Sequence, residues 1–140
     1  MVKPIVVGLL TPQSWTSIQE REVLQKCSHI EMRWDLFAVS LSIEKLTEAW
    51  TQILNEFPHK IWIWTMRLVR DGGAWPNDEA HLRLSYWEPF LKQQPEWLDL
   101  EWEEQSSLPS WRQIFGKSKI LFSHHKFNTS YNTSKLERLY

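Results

Sequence analysis

The sequence contains a single cysteine, carries almost no net charge and has no long hydrophobic run. Cys27 alone can form neither an internal disulfide nor a cysteine-based zinc site, and we expect it to be a small core residue. A formal charge of −1 leaves no basic surface for nucleic acid or for an anionic membrane. No apolar run approaches the length of a membrane span, and no signal peptide is visible. Together these absences predict a cytoplasmic protein with no nucleic-acid or membrane partner.

The short motifs of several enzyme classes are also absent. There is no phosphate-binding loop, no metal-ligand spacing and no nucleophilic serine motif. We therefore predict neither a metal nor a cofactor. No repeat, low-complexity tract or linker divides the 140 residues, which suffice for one domain with a core. Ten tryptophans are an unusual load, and their size predicts that most of them pack between helices and sheet.

What the chain does contain is a regular alternation of strand-like and helix-like segments. The predicted strands are Pro4–Leu10, His29–Phe37, Lys60–Leu68, Trp97–Trp102 and Lys119–Phe127. The predicted helices are Ser14–Lys26, Ser42–Phe57, Asn77–Gln94 with a break near Pro89, Ser110–Phe115, and one that begins at Ser134. Such βα alternation is typical of a parallel sheet covered by helices.

Polar residues recur at every second position within four of these strands. The sets are Glu31, Arg33 and Asp35; Thr65 and Arg67; Asp99 and Glu101; Ser123 and His125. Because successive strand residues point to opposite faces, the members of each set share one face of the sheet. In a helix-covered sheet that face is an interior or a strand-end mouth, where unpaired charge is costly and usually functional.

Two architectures fit five βα units. One is an open doubly wound sheet, and the other is a partial (β/α)8 barrel, whose full form needs roughly 250 residues. The inward-pointing charges favour the barrel, because a barrel enzyme gathers catalytic groups from the ends of several strands. An open parallel sheet keeps its strand interiors apolar.

Four motifs, each on its own strand and in the same order, resemble the type I 3-dehydroquinate dehydratase family. They are Glu31-Met32-Arg33-Trp34-Asp35, Thr65-Met66-Arg67 followed by Asp71-Gly72-Gly73, Asp99-Leu100-Glu101, and Ser123-His124-His125-Lys126-Phe127. Two positions depart from the family pattern: Asp71 replaces a glutamate, and Lys126 stands where an acid is common. The resemblance spans nearly the whole chain and implies a (β/α)8 fold.

The resemblance implies dehydration of 3-dehydroquinate to 3-dehydroshikimate, a step of the shikimate pathway, through a Schiff base. In that reaction a lysine amine condenses with the ketone, and a general acid/base moves protons at the neighbouring carbons. By resemblance His125 is the acid/base, and Asp71 is the carboxylate that orients it. Glu31, Arg33 and Arg67 would hold the hydroxyls and polar edge of the substrate.

The resemblance covers the N-terminal part of the family only, because the family's imine-forming lysine lies on a sixth strand. We therefore expect a truncated dehydroquinase-like domain over residues 1–140 that is inactive alone. The alternative is a non-catalytic small-molecule-binding or interaction protein built on the same scaffold. Unpaired edge strands predict self-association or a complementing C-terminal chain. The other carboxylates, Asp35, Asp99 and Glu101, are interpreted as partners of the arginines.

Overall fold

The computed structural model describes residues 2–125, and its centre is a parallel sheet of five strands in the order β1-β2-β3-β4-β5. The strands are β1 (Val7–Leu10), β2 (His29–Arg33), β3 (Ile61–Thr65), β4 (Trp97–Glu101) and β5 (Lys119–Ser123). Each strand pairs with its neighbour in sequence, so the chain winds in one direction without the reversal of a doubly wound sheet. This order confirms the α/β class with a partial-barrel arrangement.

Helices connect successive strands. They are α1 (Pro12–Thr16), α2 (Ile18–Gln25), α3 (Trp34–Ser40), α4 (Ile43–Glu56), α5 (Arg83–Trp87) and α6 (Leu108–Ile114). Short 3-10 turns occupy Val69–Asp71, Asn77–Leu82, Glu88–Phe90 and Trp102–Ser107. Within residues 2–125 no helix has the length and apolar character to cross a membrane.

The longest helix, α4, illustrates how the sequence specifies its elements. The side chain of Ser42 caps the first turn by accepting a hydrogen bond from the Lys45 amide at 3.3 Å. Its buried residues follow a 3.6-residue period: Leu46, Ala49, Trp50 and Ile53. The helix ends at Glu56, and Pro58 prevents its continuation.

The core lies between the helices and one face of the sheet and is built largely from tryptophan. The Trp34 and Trp64 rings lie 4.8 Å apart, and Trp50 lies 5.1 Å from both Trp34 and Trp62. Trp87 joins the cluster 5.8 Å from Trp64. These edge and tilted contacts are the geometries that aromatic rings prefer, so the tryptophan load is mainly a packing feature, as predicted.

The opposite face of the sheet has no helical cover within the described part of the chain. Leu9 and Leu121 remain 47% and 43% exposed there, although both belong to strands. Residues that point to the other face of the sheet, such as Leu10 of β1 and Leu98 of β4, are completely buried under the helices. The uncovered face also carries the polar residues that recur at every second strand position.

The predicted strand over His29–Phe37 is wrong beyond Arg33, because the chain turns there into helix α3. Trp34 and Phe37, spaced by three residues, both become fully buried when the segment is helical. Asp35 therefore lies in the first turn of a helix and not on the strand face.

Other predicted bounds also shift. The first helix is divided at Ser17, which is extended and caps α2 through the Glu20 amide. The predicted helix over Asn77–Gln94 is a short α-helix between two 3-10 turns. Strand β1 begins at Val7, strands β3 and β5 end at Thr65 and Ser123, and α6 begins at Leu108. Residues 126–140, with Lys126, Phe127 and the predicted last helix, lie outside the described residues.

Candidate active site

The predicted site residues lie at the carboxyl ends of β2 to β5, on or just beyond the uncovered face. Glu31 belongs to β2 and Asp99 to β4, while Arg67 and His125 each follow the end of a strand by two residues. This is the end of a parallel barrel at which catalytic groups converge. Within the strands, the period-two spacing agrees with the shared face of Glu31, Arg33 and Asp99.

Arg33 is held by Asp35 in a two-point ion pair. Its Nε and Nη2 atoms donate to the two carboxylate oxygens at 3.0 Å and 2.8 Å. Asp35 is fully buried and also accepts a hydrogen bond from the backbone amide of Ala74 at 3.0 Å. Such a fork fixes the plane of the guanidinium, whose remaining N–H groups can face a ligand.

Glu31 is oriented from the neighbouring strand. The hydroxyl of Thr65 donates to Glu31 Oε1 at 2.8 Å. The two residues sit on adjacent parallel strands, where Arg33 and not Glu31 is the direct register partner of Thr65. The contact is therefore diagonal across the sheet, and it leaves a carboxylate directed along the polar face.

Arg67, Asp99 and Ser123 form a second polar group that spans β3 to β5. Arg67 Nη2 lies 2.9 Å from Asp99 Oδ2, and the Ser123 hydroxyl donates to Asp99 Oδ1 at 2.6 Å. Burial raises the pKa of Asp99 from 3.8 to about 6, although the Ser123 hydrogen bond and the Arg67 charge oppose the rise. The expected pairing of Asp99 with an arginine is confirmed.

Asp71 lies in the turn after β3 and is buried. Its carboxylate lies 3.5 Å from Arg70 Nε, and the next residue, Gly72, adopts a left-handed backbone with φ of 84°. Burial raises the pKa of Asp71, and the negative charges of Glu101 and Glu103 raise it further. The predicted role of this carboxylate, orienting His125, stays a prediction.

His125 follows β5 and is partly buried. Burial lowers the pKa of this imidazole, and the Arg67 charge lowers it further, while Asp71 and Glu101 act in the opposite direction. A lowered pKa keeps the ring neutral at physiological pH, which is the state that a general base requires. Its neighbour His124 lies 3.8 Å from Glu103.

One buried ion network was not predicted. Arg83, on α5, is 1% exposed and donates through Nη1 to Glu101 at 2.7 Å and through Nη2 to Glu104 at 3.0 Å. The expectation that Glu101 pairs with Arg33 or Arg67 is wrong, because its partner is Arg83. Trp111 Nε1 also donates to Glu104, at 3.0 Å. Because the segment around Arg83 has no clear apolar periodicity, the sequence gives no sign that this side chain is buried.

The polar residues do not form an evident metal centre. Among residues 2–125, no three His, Cys, Asp or Glu side chains are grouped so that they could hold a metal ion. The arrangement instead offers guanidinium donors, carboxylate acceptors and one imidazole on a single face. It suits a polar, hydroxyl-bearing organic ligand.

The family model described as type I 3-dehydroquinase matches residues 5–140. The chain belongs to that family. Among solved structures it is similar to a 3-dehydroquinate dehydratase from Geobacillus kaustophilus, with a TM-score of 0.75 at 18% identity over 96% of the chain. The enzyme from Enterococcus faecalis gives 0.73 at 16% identity over 95% of the chain. The enzyme from Aquifex aeolicus gives a TM-score of 0.67 at 15% identity over 96% of the chain.

The chain spans little more than half the length of these 3-dehydroquinate dehydratases. It covers 58% of the E. faecalis chain, 59% of the A. aeolicus chain and 55% of the G. kaustophilus chain. Their similarity shows the fold, which is part of a (β/α)8 barrel. No curated protein matched the sequence.

Proposed function

We propose that the chain contributes the substrate-binding and acid–base side of a 3-dehydroquinate dehydratase site. The observation that supports this most is the grouping of Arg33, Arg67, Glu31 and His125 at the strand ends of one uncovered sheet face. Family membership supplies the substrate class. The arginines and Glu31 are suited to a polyhydroxylated ring, since they offer both donors and an acceptor.

In the proposed reaction an amine condenses with the substrate ketone and releases water, which gives an iminium ion. Neutral His125 then removes a proton from the adjacent carbon, and the electron pair moves into the iminium. The resulting histidinium returns the proton to the departing hydroxyl, which leaves as water. Hydrolysis of the iminium frees the enone product and regenerates the amine. His125 thus acts first as base and then as acid.

The amine is the component that the described sheet does not supply. By resemblance the lysine lies on a sixth strand, and the described sheet has five. Lys119 begins β5, and its Nζ lies 5.2 Å from the Trp97 ring centroid, at the opposite end of the strands from His125. The proposed reaction therefore requires an amine from outside the described sheet.

A segment that supplies this amine would have two edges on which to pair. Within residues 2–125, β1 pairs only with β2 and β5 only with β4, so each keeps one edge unpaired. Val6 and Val7, beside the first edge, are 69% and 42% exposed. Such apolar edges bind further strands readily. Light scattering of the chain is expected to report self-association, and a strictly monomeric sample would contradict this part of the proposal.

A non-catalytic small-molecule binder on the same scaffold is the second candidate. It is favoured by Asp71, which stands in place of the family glutamate and pairs with Arg70. The side chain is one methylene shorter, and small displacements of a catalytic group are costly. In this case Arg33 and Arg67 would bind a polyol, and the chain would not catalyse its conversion.

An ultraviolet assay for the conjugated enone product, together with calorimetry using quinate, separates the two candidates. Turnover that His125→Ala abolishes and His81→Ala retains would support the dehydratase; His81 is a matched control because it is an exposed histidine of a 3-10 turn. Quinate binding without turnover would support the binder. A folded sample that neither binds quinate nor turns over 3-dehydroquinate would contradict both.

A further inference from the structure

Asp35 contacts both parts of the candidate site. We infer that it is a positioning residue that couples the orientation of Arg33 to the placement of the turn carrying Asp71, and through that turn to His125. The inference deepens the proposed function, on which the roles of Arg33 and His125 rest. Asp35 itself is buried behind the guanidinium, so it acts through its neighbours and not on substrate.

The carboxylate of Asp35 contacts both Arg33 and the backbone of the turn. Oδ1 accepts from Arg33 Nε at 3.0 Å, while Oδ2 accepts both from Arg33 Nη2 at 2.8 Å and from the Ala74 amide at 3.0 Å. The side chain of Asp35 is completely inaccessible to solvent. One oxygen is therefore shared by a site arginine and by the backbone of a different βα unit, without water to screen either contact.

The second step follows the turn from Ala74 to Asp71. Backbone hydrogen bonds close this turn on itself: Gly73 donates to Leu68, Asp71 donates to Leu68, and Trp75 donates to Arg67, at 2.9, 3.0 and 3.0 Å. A segment closed in this way moves as a unit. Releasing Ala74 from Asp35 would therefore displace Asp71 together with the backbone of Arg67.

The third step is electrostatic. The negative charge of Asp71 raises the pKa of His125, whereas burial and the charge of Arg67 lower it. Two of these influences come from residues whose backbone the turn fixes. The Arg67 guanidinium is also held from β4, since its Nη2 lies 2.9 Å from Asp99 Oδ2. If the turn loosens, the charge of Asp71 therefore moves more than that of Arg67, and the imidazole loses support for its protonated form. Asp35 thus links substrate binding by Arg33 to the acid–base group.

The test uses Asp35→Asn in the full chain. An asparagine has the same shape but no charge, and only one of its two terminal atoms can accept, so it cannot keep all three contacts with Arg33 and Ala74. Amide exchange at Ala74 and Gly73 is expected to become at least about tenfold faster, since a hydrogen bond to a charged group is lost. The NMR titration midpoint of His125, assigned with His125→Ala, is expected to fall by about 0.3 unit or more.

Two further variants keep the test decisive. Ala74→Pro removes the N–H donor of the turn, fixes its φ and keeps both carboxylate oxygens of Asp35 for Arg33, so it should reproduce the His125 shift even if Asp35→Asn does not fold. Glu104→Gln weakens a different ion pair, the one with Arg83, and should change neither Ala74 exchange nor the His125 midpoint.

An unchanged His125 midpoint in folded Asp35→Asn or Ala74→Pro would overturn the coupling and leave Asp35 as a purely local partner of Arg33. These readouts need no ligand. A wild-type chain that fails to bind quinate would therefore contradict the proposed function. The coupling would still be judged separately, from amide exchange and the His125 midpoint.

Discussion

The hydroxyl of Ser123 donates to a carboxylate oxygen of Asp99 at 2.6 Å, across the β4–β5 pair. Burial nonetheless raises the pKa of Asp99 to about 6. The contact therefore offsets only part of the cost of burying this charge. Such a group takes up a proton near the lower end of the physiological range, which makes the stability of the site region depend on pH.

We predict that Asp99 makes the wild-type chain less stable as pH rises from about 4 to 7. Because the pKa is higher in the folded state (about 6) than in the unfolded state (3.8), the folded state binds more protons in this interval, and stability falls as they are released. The difference of about 2 units corresponds to roughly 3 kcal/mol. Urea unfolding of wild type and Asp99→Asn at several pH values should show a steeper loss of stability with rising pH in wild type than in the variant. Equal slopes in the two proteins would refute the assignment.

The buried network of Arg83 leads to a second prediction. Arg83→Met leaves Glu101, which is 4% exposed, without its cation. Removing one partner of a buried ion pair costs about 3–5 kcal/mol, and urea unfolding measures that loss. Arg70→Ala is the matched control: this arginine is 49% exposed and should cost less than about 1 kcal/mol. Similar losses in both variants would show that the network is not specially stabilising.

The strand positions of the site could be predicted because side-chain alternation has a period of two. Glu31 and Arg33 alternate with the buried Ile30 and Met32 of β2, and Asp99 lies between the buried Leu98 and Leu100 of β4. Asp35 follows the same spacing but lies in a helix. It still meets Arg33 because the first turn of α3 starts directly at the strand end.

Contacts between distant segments could not be predicted in this way. Arg83 meets Glu101, 18 positions along the chain, and Ser123 meets Asp99 across 24. Neither pair follows a local period, since each depends on how a helix or strand packs against the next unit. The split of the first helix at Ser17 was missed for a different reason: its hydroxyl competes for a backbone amide, and apolar spacing does not reveal this.

A third prediction concerns the charge environment of His125. Arg67→Gln removes a positive charge that lowers the pKa of this imidazole, so its NMR titration midpoint should rise by about 0.5–1 unit. A lowered histidine pKa makes the folded state bind fewer protons than the unfolded state, so this contribution to stability is lost as pH falls through about 6.5. That loss should be smaller in Arg67→Gln.

Arg112→Gln is the control for this variant, because Arg112 is an exposed arginine of α6 that donates to the Ser118 carbonyl. It should leave the His125 midpoint unchanged. A midpoint that moves equally in both variants would indicate a general charge effect and not the proximity of Arg67.

The last prediction tests whether the turn after β3 tolerates a side chain. A Cβ at Gly73 would overlap the carbonyl group of Arg67, which is backbone and cannot move aside without shifting the turn. Gly73→Ala should therefore lower the free energy of unfolding by about 1–3 kcal/mol, the usual cost of overpacking. It should also weaken quinate binding, since Arg67 and Asp71 flank the shifted backbone. Gly116→Ala offers a matched control, because a Cβ there would lie 3.3 Å from the Arg112 carbonyl oxygen, at an exposed helix end. If both glycines accept alanine equally well by urea unfolding, the close approach at Gly73 does not constrain the turn.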